Sequence, residues 1–159
     1  IGGGDWSNDR IIPDFIKSIK NKKNFYVRFP NAIRPWQHVF DVVYGYLLLG
    51  KKIYKNNNYN GSWNFGPSKK NLLTVKQIIN FIKKQINSNK KISIKKQKEF
   101  HETKTLVLDS SKTKKKLMWK SKYSIKKSLK VTSAWYENFL SKKNIENVSY
   151  QQFKNYFLK

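Results

Sequence analysis

The sequence predicts a mixed α/β fold in which short strands alternate with amphipathic helices, the strands being too few for a whole doubly wound sheet. Apolar side chains recur at helical spacing in several separate segments, and short β-branched or aromatic runs closed by Pro, Gly or Asp lie between them. Hydrophobic residues make up 38% of the 159 positions and aromatics 15%, enough for a packed core, which excludes wholesale disorder despite the charge. The length fits one domain. No internal repeat or Pro- or Ser-rich linker divides it.

After the Gly2-Gly3-Gly4 turn, Ile11, Ile12, Phe15, Ile16 and Ile19 recur at helical spacing. Asn8 or Asp9 is the expected cap, and Pro13 is tolerated in the first turn. Phe25 to Phe29 reads as a strand stopped by Pro30, and Trp36 to Val39 as a second extended piece. Asp41 opens a helix through Val42, Val43, Tyr46, Leu47, Leu49 and Ile53, which ends in the Asn56-Asn57-Asn58 loop. Ser62 to Phe65 reads as a strand closed by Gly66-Pro67. Thr74 caps a helix carrying Val75, Ile78, Ile79, Ile82 and Ile86, and Ile92 with Ile94 marks another strand. Leu106 to Leu108 reads as a strand whose Asp109-Ser110-Ser111 ending caps a helix over Lys112 to Met118. Ser124 opens what reads as the longest helix, with Ile125, Leu129, Thr132, Trp135, Tyr136 and Phe139 inward. A last helix is expected near Ser149 to Phe157, with Ser149 and Gln152 as capping box.

Thirty-four Lys and Arg stand against nine Asp and Glu, a net charge of +25. Of these cations 31 are Lys, and Asn and Ile are also abundant. All three residue types have A/T-rich codons, so a biased genome accounts for Lys wherever a solvated cation is tolerated. A nucleic-acid surface would instead put cations on one stripe with interleaved aromatics, whereas here they spread from Lys17 to Lys159. Against that background the three Arg, at 10, 28 and 34, are informative: a retained Arg marks a need for a planar, bidentate donor to phosphate or carboxylate.

With no Cys and two His, a disulfide scaffold, thiol catalysis and a metal site are not expected, and a reducing, cytoplasmic setting is. The longest apolar run is too short to span a bilayer, so no membrane partner is expected. The chain opens on Ile1 and three glycines, which reads as a piece of a longer protein.

The order of motifs resembles one family. Gly3-Gly4-Asp5-Trp6, Asp9-Arg10, Ile12-Pro13-Asp14, Arg34-Pro35-Trp36-Gln37-His38-Val39, Gly45-Tyr46-Leu47-Leu48 and Trp63-Asn64-Phe65-Gly66-Pro67-Ser68 are similar to the C-terminal half of the CDP-glucose 4,6-dehydratases. His101-Glu102, Leu106 with Leu108-Asp109, Ser111-Lys112, Leu117 with Trp119, and Trp135-Tyr136 continue the match in order over nearly the whole chain. The Gly-Gly-Gly-Asp-Trp and Arg-Pro-Trp-Gln-His strings are the specific ones. The others occur widely in the extended short-chain dehydrogenase/reductase class.

The resemblance implies that residues 1–159 form the C-terminal nucleotide-sugar-binding lobe of such an enzyme, with the last elements of its Rossmann-type sheet. The NAD-binding N-terminal domain would lie outside this chain, and the chain alone would be inactive. In the full enzyme, a homo-oligomer acting in deoxysugar synthesis for lipopolysaccharide O-antigen, a hydride leaves C4 of CDP-glucose for NAD. Water is lost across C5 and C6, and the hydride returns at C6. Such chemistry needs a Gly-rich strand-to-helix turn and a Tyr/Lys pair. The glycines, at 2, 3, 4, 45, 50, 61 and 66, form no G-x-x-G-x-x-G. Tyr123 with Lys127 and Tyr150 with Lys154 have the Tyr-x-x-x-Lys spacing, but this composition yields about two such pairs by chance, and no catalytic residue is assigned. If the missing half once covered this lobe, an exposed apolar patch is expected around Gly2 to Ile12 and Trp63 to Phe65.

Substrate binding remains. A diphosphate suits the guanidinium fork of Arg34, where the resemblance also places a diphosphate ligand. Arg28 contacts phosphate or cytosine, or is merely solvated. Arg10 either enters the site or pairs with Asp14 at i,i+4. Asp5 and Trp6 lie in a Gly-rich loop that the class folds over the nucleotide, although Asp5 also suits an Asx turn. Glu102 is the expected ribose hydroxyl acceptor, since Glu99 stands where relatives carry an Arg. Trp36 reads as core, and His38 as a core histidine or a ligand. Another epimerase or dehydratase of the class, or a basic nucleic-acid or carbohydrate-binding module, stays open as an alternative.

Overall fold

A computed structural model describes residues 1–68, 72–95 and 103–158. The elements are α1 (Ile11–Lys20), β1 (Phe25–Val27), β2 (Ile33–Arg34), α2 (Val39–Lys55), a 3-10 turn (Asn57–Tyr59), β3 (Leu73–Thr74), α3 (Val75–Gln85), β4 (Ile92–Ile94), α4 (Ser111–Leu117), α5 (Ile125–Leu140) and α6 (Ile145–Phe157). β1 pairs in parallel with β4, β2 runs antiparallel to β3, and Ile33 makes a single parallel bridge to Thr105. The expected mixed α/β class, with few strands, holds.

Helical periodicity builds the main core. α1 buries Ile12, Phe15 and Ile16, α3 buries Ile78, Ile79 and Ile82, and α5 buries Leu129, Trp135 and Tyr136, in one cluster with Phe25 and Val27 of β1. α3 starts as read: Thr74 Oγ1 accepts from Gln77 N at 3.2 Å while Gln77 Oε1 accepts from Thr74 N at 2.8 Å, a reciprocal cap. Ser124 caps α5 by accepting from Lys127 N.

The departures have tertiary causes. The N-cap of α1 is Arg10, because Asp9 takes a left-handed turn (φ 57°) before the helix. α2 begins at Val39 rather than Asp41, since His38 Nδ1 accepts from Phe40 N and serves as the cap. It is also the longest helix, with 17 residues against 16 in α5. Residues 36–39, 62–65 and 106–108 are not strands. Side chains, not a ladder, satisfy the 62–66 backbone: Thr113 Oγ1 donates to Asn64 O at 2.6 Å and Ser110 Oγ to Gly66 O at 3.3 Å. α6 starts earlier than read, with Asn144 accepting from Asn147 N. Ser149 is inside that helix, where its hydroxyl accepts from the Trp135 indole at 2.9 Å.

A second cluster joins α2 to the loops below it through Phe65, Leu117 and Trp119. Gly45 is the close approach: a Cβ there would collide with the Phe65 ring and stand 3.0 Å from Trp119 Nε1. Helix propensity alone favours Gly45→Ala by about 1 kcal/mol, but forcing a methyl into packed rings costs about 1 to 3 kcal/mol. We expect a net loss of stability in urea unfolding. A gain would show that the Phe65 ring can retreat.

Under the first turn of α2 lies a buried polar network. Asp41, fully buried, accepts from the Tyr156 hydroxyl at 2.6 Å and from Lys122 N at 2.7 Å, and the Trp119 indole donates to its carbonyl. Burial raises the Asp41 carboxyl above the usual range, against the pull of these hydrogen bonds. The Tyr123 and Tyr156 rings pack edge to face at 4.9 Å, and the Tyr123 ring stands 5.4 Å from His38.

Candidate functional site

A cleft with a volume of about 830 Å³ opens among the described residues, within the range of small-molecule sites. Its walls come from the Gly-rich loop, the start of α1, β1, β2 with the loop after it, and single apolar residues such as Val42, Phe65 and Leu108. Alternation along β1 sends Phe25 and Val27 into the core and leaves Tyr26 exposed. Arg28, two residues beyond Tyr26, is exposed as well.

Arg10, Arg28 and Arg34 all line this cleft, together with one described lysine, Lys95. A chain that uses lysine ten times as often as arginine therefore puts every arginine on the lining of one cleft. Arg34 Nη1 donates to Ile33 O at 2.8 Å and to Thr103 O at 2.9 Å, so its guanidinium is held by backbone carbonyls at the cleft edge. Arg28 stands 3.8 Å from Asp9, and Arg10 stands 3.8 Å from Asp5. Arg10 thus pairs with Asp5 and not with Asp14, because the Gly-rich loop folds back across the start of α1. Both pairs are largely exposed and contribute little to stability.

Asp5 lines the cleft and also makes the Asx turn, its Oδ1 accepting from Ser7 N at 3.0 Å. Burial pushes its carboxyl up, but the Ser7 hydrogen bonds and the Arg10 charge outweigh that, and the net shift is downward. Trp6 does not line the cleft. It packs on α5, with its ring 4.6 Å from Phe139 and 5.5 Å from Tyr136, and anchors the loop that carries Asp5. Glu102, with His101, lies outside the described residues. Trp36 is half-buried at the cleft and donates its indole N–H to Leu73 O at 2.8 Å. His38 is a buried cap and not part of the cleft lining.

Sequence reasoning missed Gln37 and Tyr136 as wall residues. Gln37 is buried, and its Nε2 has no partner among the described residues. Tyr136 donates its hydroxyl to Asp5 O at 2.8 Å, and burial raises its pKa. Helical spacing could only assign Tyr136 to the core. Nothing local distinguishes a core tyrosine whose hydroxyl closes a cleft.

The fold matches part of the fold of solved nucleotide-sugar epimerases and dehydratases. Among solved structures, UDP-glucose 4-epimerase of Thermotoga maritima with UDP-glucose superposes with a TM-score of 0.70 at 21% identity, covering 88% of this chain and 44% of that one. dTDP-glucose 4,6-dehydratase of Bacillus anthracis in complex with NAD superposes with a TM-score of 0.66 at 18% identity, over 88% and 42%. In sequence the chain is 29% identical to CDP-glucose 4,6-dehydratase of Salmonella typhimurium over 157 residues, 98% of this chain and 44% of that protein. No family model matches. The chain therefore spans less than half the length of these relatives. Solved structures of this fold hold NAD or NADPH; the seven glycines of this chain form no G-x-x-G-x-x-G.

Proposed function

We propose that this chain is the nucleotide-sugar-binding lobe of a 4,6-dehydratase acting on CDP-glucose, with NAD held by a polypeptide region outside it. The observation that carries this reading is the convergence of all three arginines on one cleft. A diphosphate carries two negative charges and presents oxygens in pairs, which guanidinium forks hold with a directionality that ammonium groups lack. Tyr26 and Phe29 supply flat apolar surface beside the arginines, and the unpartnered Gln37 amide supplies a donor for a hydroxyl. A general nucleic-acid surface fits less well, because lysines sit on all six helices and not along one stripe.

Calorimetric titration of the chain with CDP-glucose tests the reading. Arg34→Lys keeps the charge and loses the fork, so affinity falls about tenfold, equivalent to about 1.4 kcal/mol. Arg34→Ala costs more, while circular dichroism stays unchanged. The combined Lys83→Gln, Lys115→Gln and Lys142→Gln variant binds nearly as well as the parent at moderate salt, because screening weakens charges beyond about 10 Å. Equal losses in the two sets, both abolished by salt, would assign binding to the general positive field. Tighter binding of UDP- or dTDP-glucose than of CDP-glucose would move the chain to another member of the class.

A further inference from the structure

Trp36 and Gln37 line a second cavity as well as the cleft. Its volume is about 290 Å³, too small for a nucleotide sugar and enough for a small anion with a few carbons attached. The remaining walls come from the Gly66-Pro67 turn, Lys114 of α4, Lys120 and Ser121 of the loop after it, and the first turn of α5. No Asp or Glu among the described residues lines this cavity, whereas Asp5, Asp9 and Asp14 line the cleft.

Positive potential converges on this cavity. α5, a helix of 16 residues, opens on it, and Ser124 Oγ accepts from Lys127 N at 3.2 Å. The N–H groups of Ile125 and Lys126 have no acceptor within the helix, and the macrodipole puts partial positive charge there. Nine of the 19 residues from 112 to 130 are Lys, and no Asp or Glu occurs from 110 to 136. Lysine by number means little in this chain, but Lys114 and Lys120 both line the cavity, and the ion pairs among the described residues, Arg10 with Asp5 and Arg28 with Asp9, leave them out. Gln37 is a separate signal. It is 8% exposed, and its Nε2 is buried with no acceptor among the described residues. Proteins rarely leave a buried amide N–H unpaired, so an open donor beside two lysines and a helix N-terminus marks the place of an acceptor that the chain does not supply.

We propose that this cavity is a second ligand site, which takes a phosphoryl dianion as free phosphate or as the monoester of a small polyol. Lys114 and Lys120 match its two charges, as point charges suited to a terminal phosphoryl group. The N–H groups of the first turn of α5 and the Gln37 amide match its oxygens. A carboxylate would leave one lysine uncompensated. The arginines of the cleft play no part in this site, so it stands whether or not the cleft takes CDP-glucose. Trp36 and Gln37, common to both linings, make the two sites neighbours.

Titration of the nitrogen-15-labelled chain, followed by NMR, tests this with two probes, inorganic phosphate and glycerol 3-phosphate, against chloride at equal ionic strength. We expect saturable shifts of the Gln37 side-chain amide and of the Ile125 and Lys126 backbone N–H signals. Tighter binding of glycerol 3-phosphate assigns the site to a monoester, and tighter binding of inorganic phosphate assigns it to the free ion. Lys114→Gln combined with Lys120→Gln should weaken the binding about tenfold and leave the fold intact, since both side chains are exposed. Gln37→Met, which keeps the volume and removes the donor, should also weaken it. The combined Lys83→Gln, Lys115→Gln and Lys142→Gln variant removes more charge and should bind nearly as the parent does. Equal losses in the two lysine sets, shifts that do not saturate, or shifts that chloride reproduces would overturn the proposal in favour of the general positive field. Binding that Arg34→Ala abolishes and the Lys114 and Lys120 pair does not would place the anion in the cleft and overturn it as well. A chain that ignores CDP-glucose and still shows the saturable shifts at Gln37 and Ile125 would strike the substrate reading and leave this site standing.

Discussion

Asp41→Ala is expected to lower the unfolding free energy by about 3 kcal/mol, because it strands two buried donors that each cost about 1 to 3 kcal/mol when unpaired. The donors are the Tyr156 hydroxyl and Lys122 N, both bound to Asp41 Oδ1. The loss is smaller for Asp41→Asn, which keeps an acceptor and removes a carboxylate that burial disfavours. Tyr156→Phe removes one donor with its bond, at about 1 kcal/mol. Combined with Asp41→Ala it should cost less than the sum, since both remove the same contact. Urea unfolding of the four proteins reads this directly. Full additivity would mean that Tyr156 and Asp41 are not coupled and that the network does not hold α2 to α6.

Acid should destabilise the protein through His38. Its imidazole is 1% exposed, and burial lowers its pKa from 6.5 to about 4. A lowered folded-state pKa means that the unfolded chain takes up the proton first as pH falls. Stability is therefore present above about 6.5 and is lost progressively down to about 4. Over that interval the linkage amounts to about 3 kcal/mol at 1.36 kcal/mol per unit. Protonation at Nδ1 would also break the cap on Phe40 N. Asp41 and Asp14, whose pKa values burial raises, act in the opposite sense, losing stability as pH rises through their range. The comparison is therefore with His38→Asn, which retains a capping oxygen and should unfold without the slope between pH 6.5 and 4. Identical slopes in the two proteins would show that His38 reaches solvent and titrates normally.

Elements whose signals are local were legible. The isoleucine spacing in α1 and α3, the Thr74 and Ser124 caps and the Ile92–Ile94 strand needed only a few neighbouring residues to be read. The start of α2 was misread because histidine is not a common cap. It caps here since the buried first turn accepts a neutral imidazole. The expected capping box at Ser149 failed because Asn144, five residues earlier, caps the helix on Asn147 N and leaves Ser149 inside it, where its hydroxyl accepts from the Trp135 indole. The strands expected at 62–65 and 106–108 failed for a nonlocal reason, because pairing depends on a partner that sequence does not display. Thr113 and Ser110 satisfy part of that backbone instead.

The scarcity of arginine in a lysine-rich chain, read from the sequence alone, singled out Arg10, Arg28 and Arg34. Only the tertiary structure brought them to the lining of one cleft, because Arg10 is carried there by the fold-back of the Gly-rich loop, Arg28 by the alternation of β1, and Arg34 by the turn into β2. The structure also packs Trp6 on α5, outside the cleft lining, and moved the exposed apolar surface from the Gly-rich loop to α2. Residue type and spacing determine what a side chain can do and which local element it favours. Which face is left uncovered depends on how the elements pack, and that is a property of contacts distant in sequence.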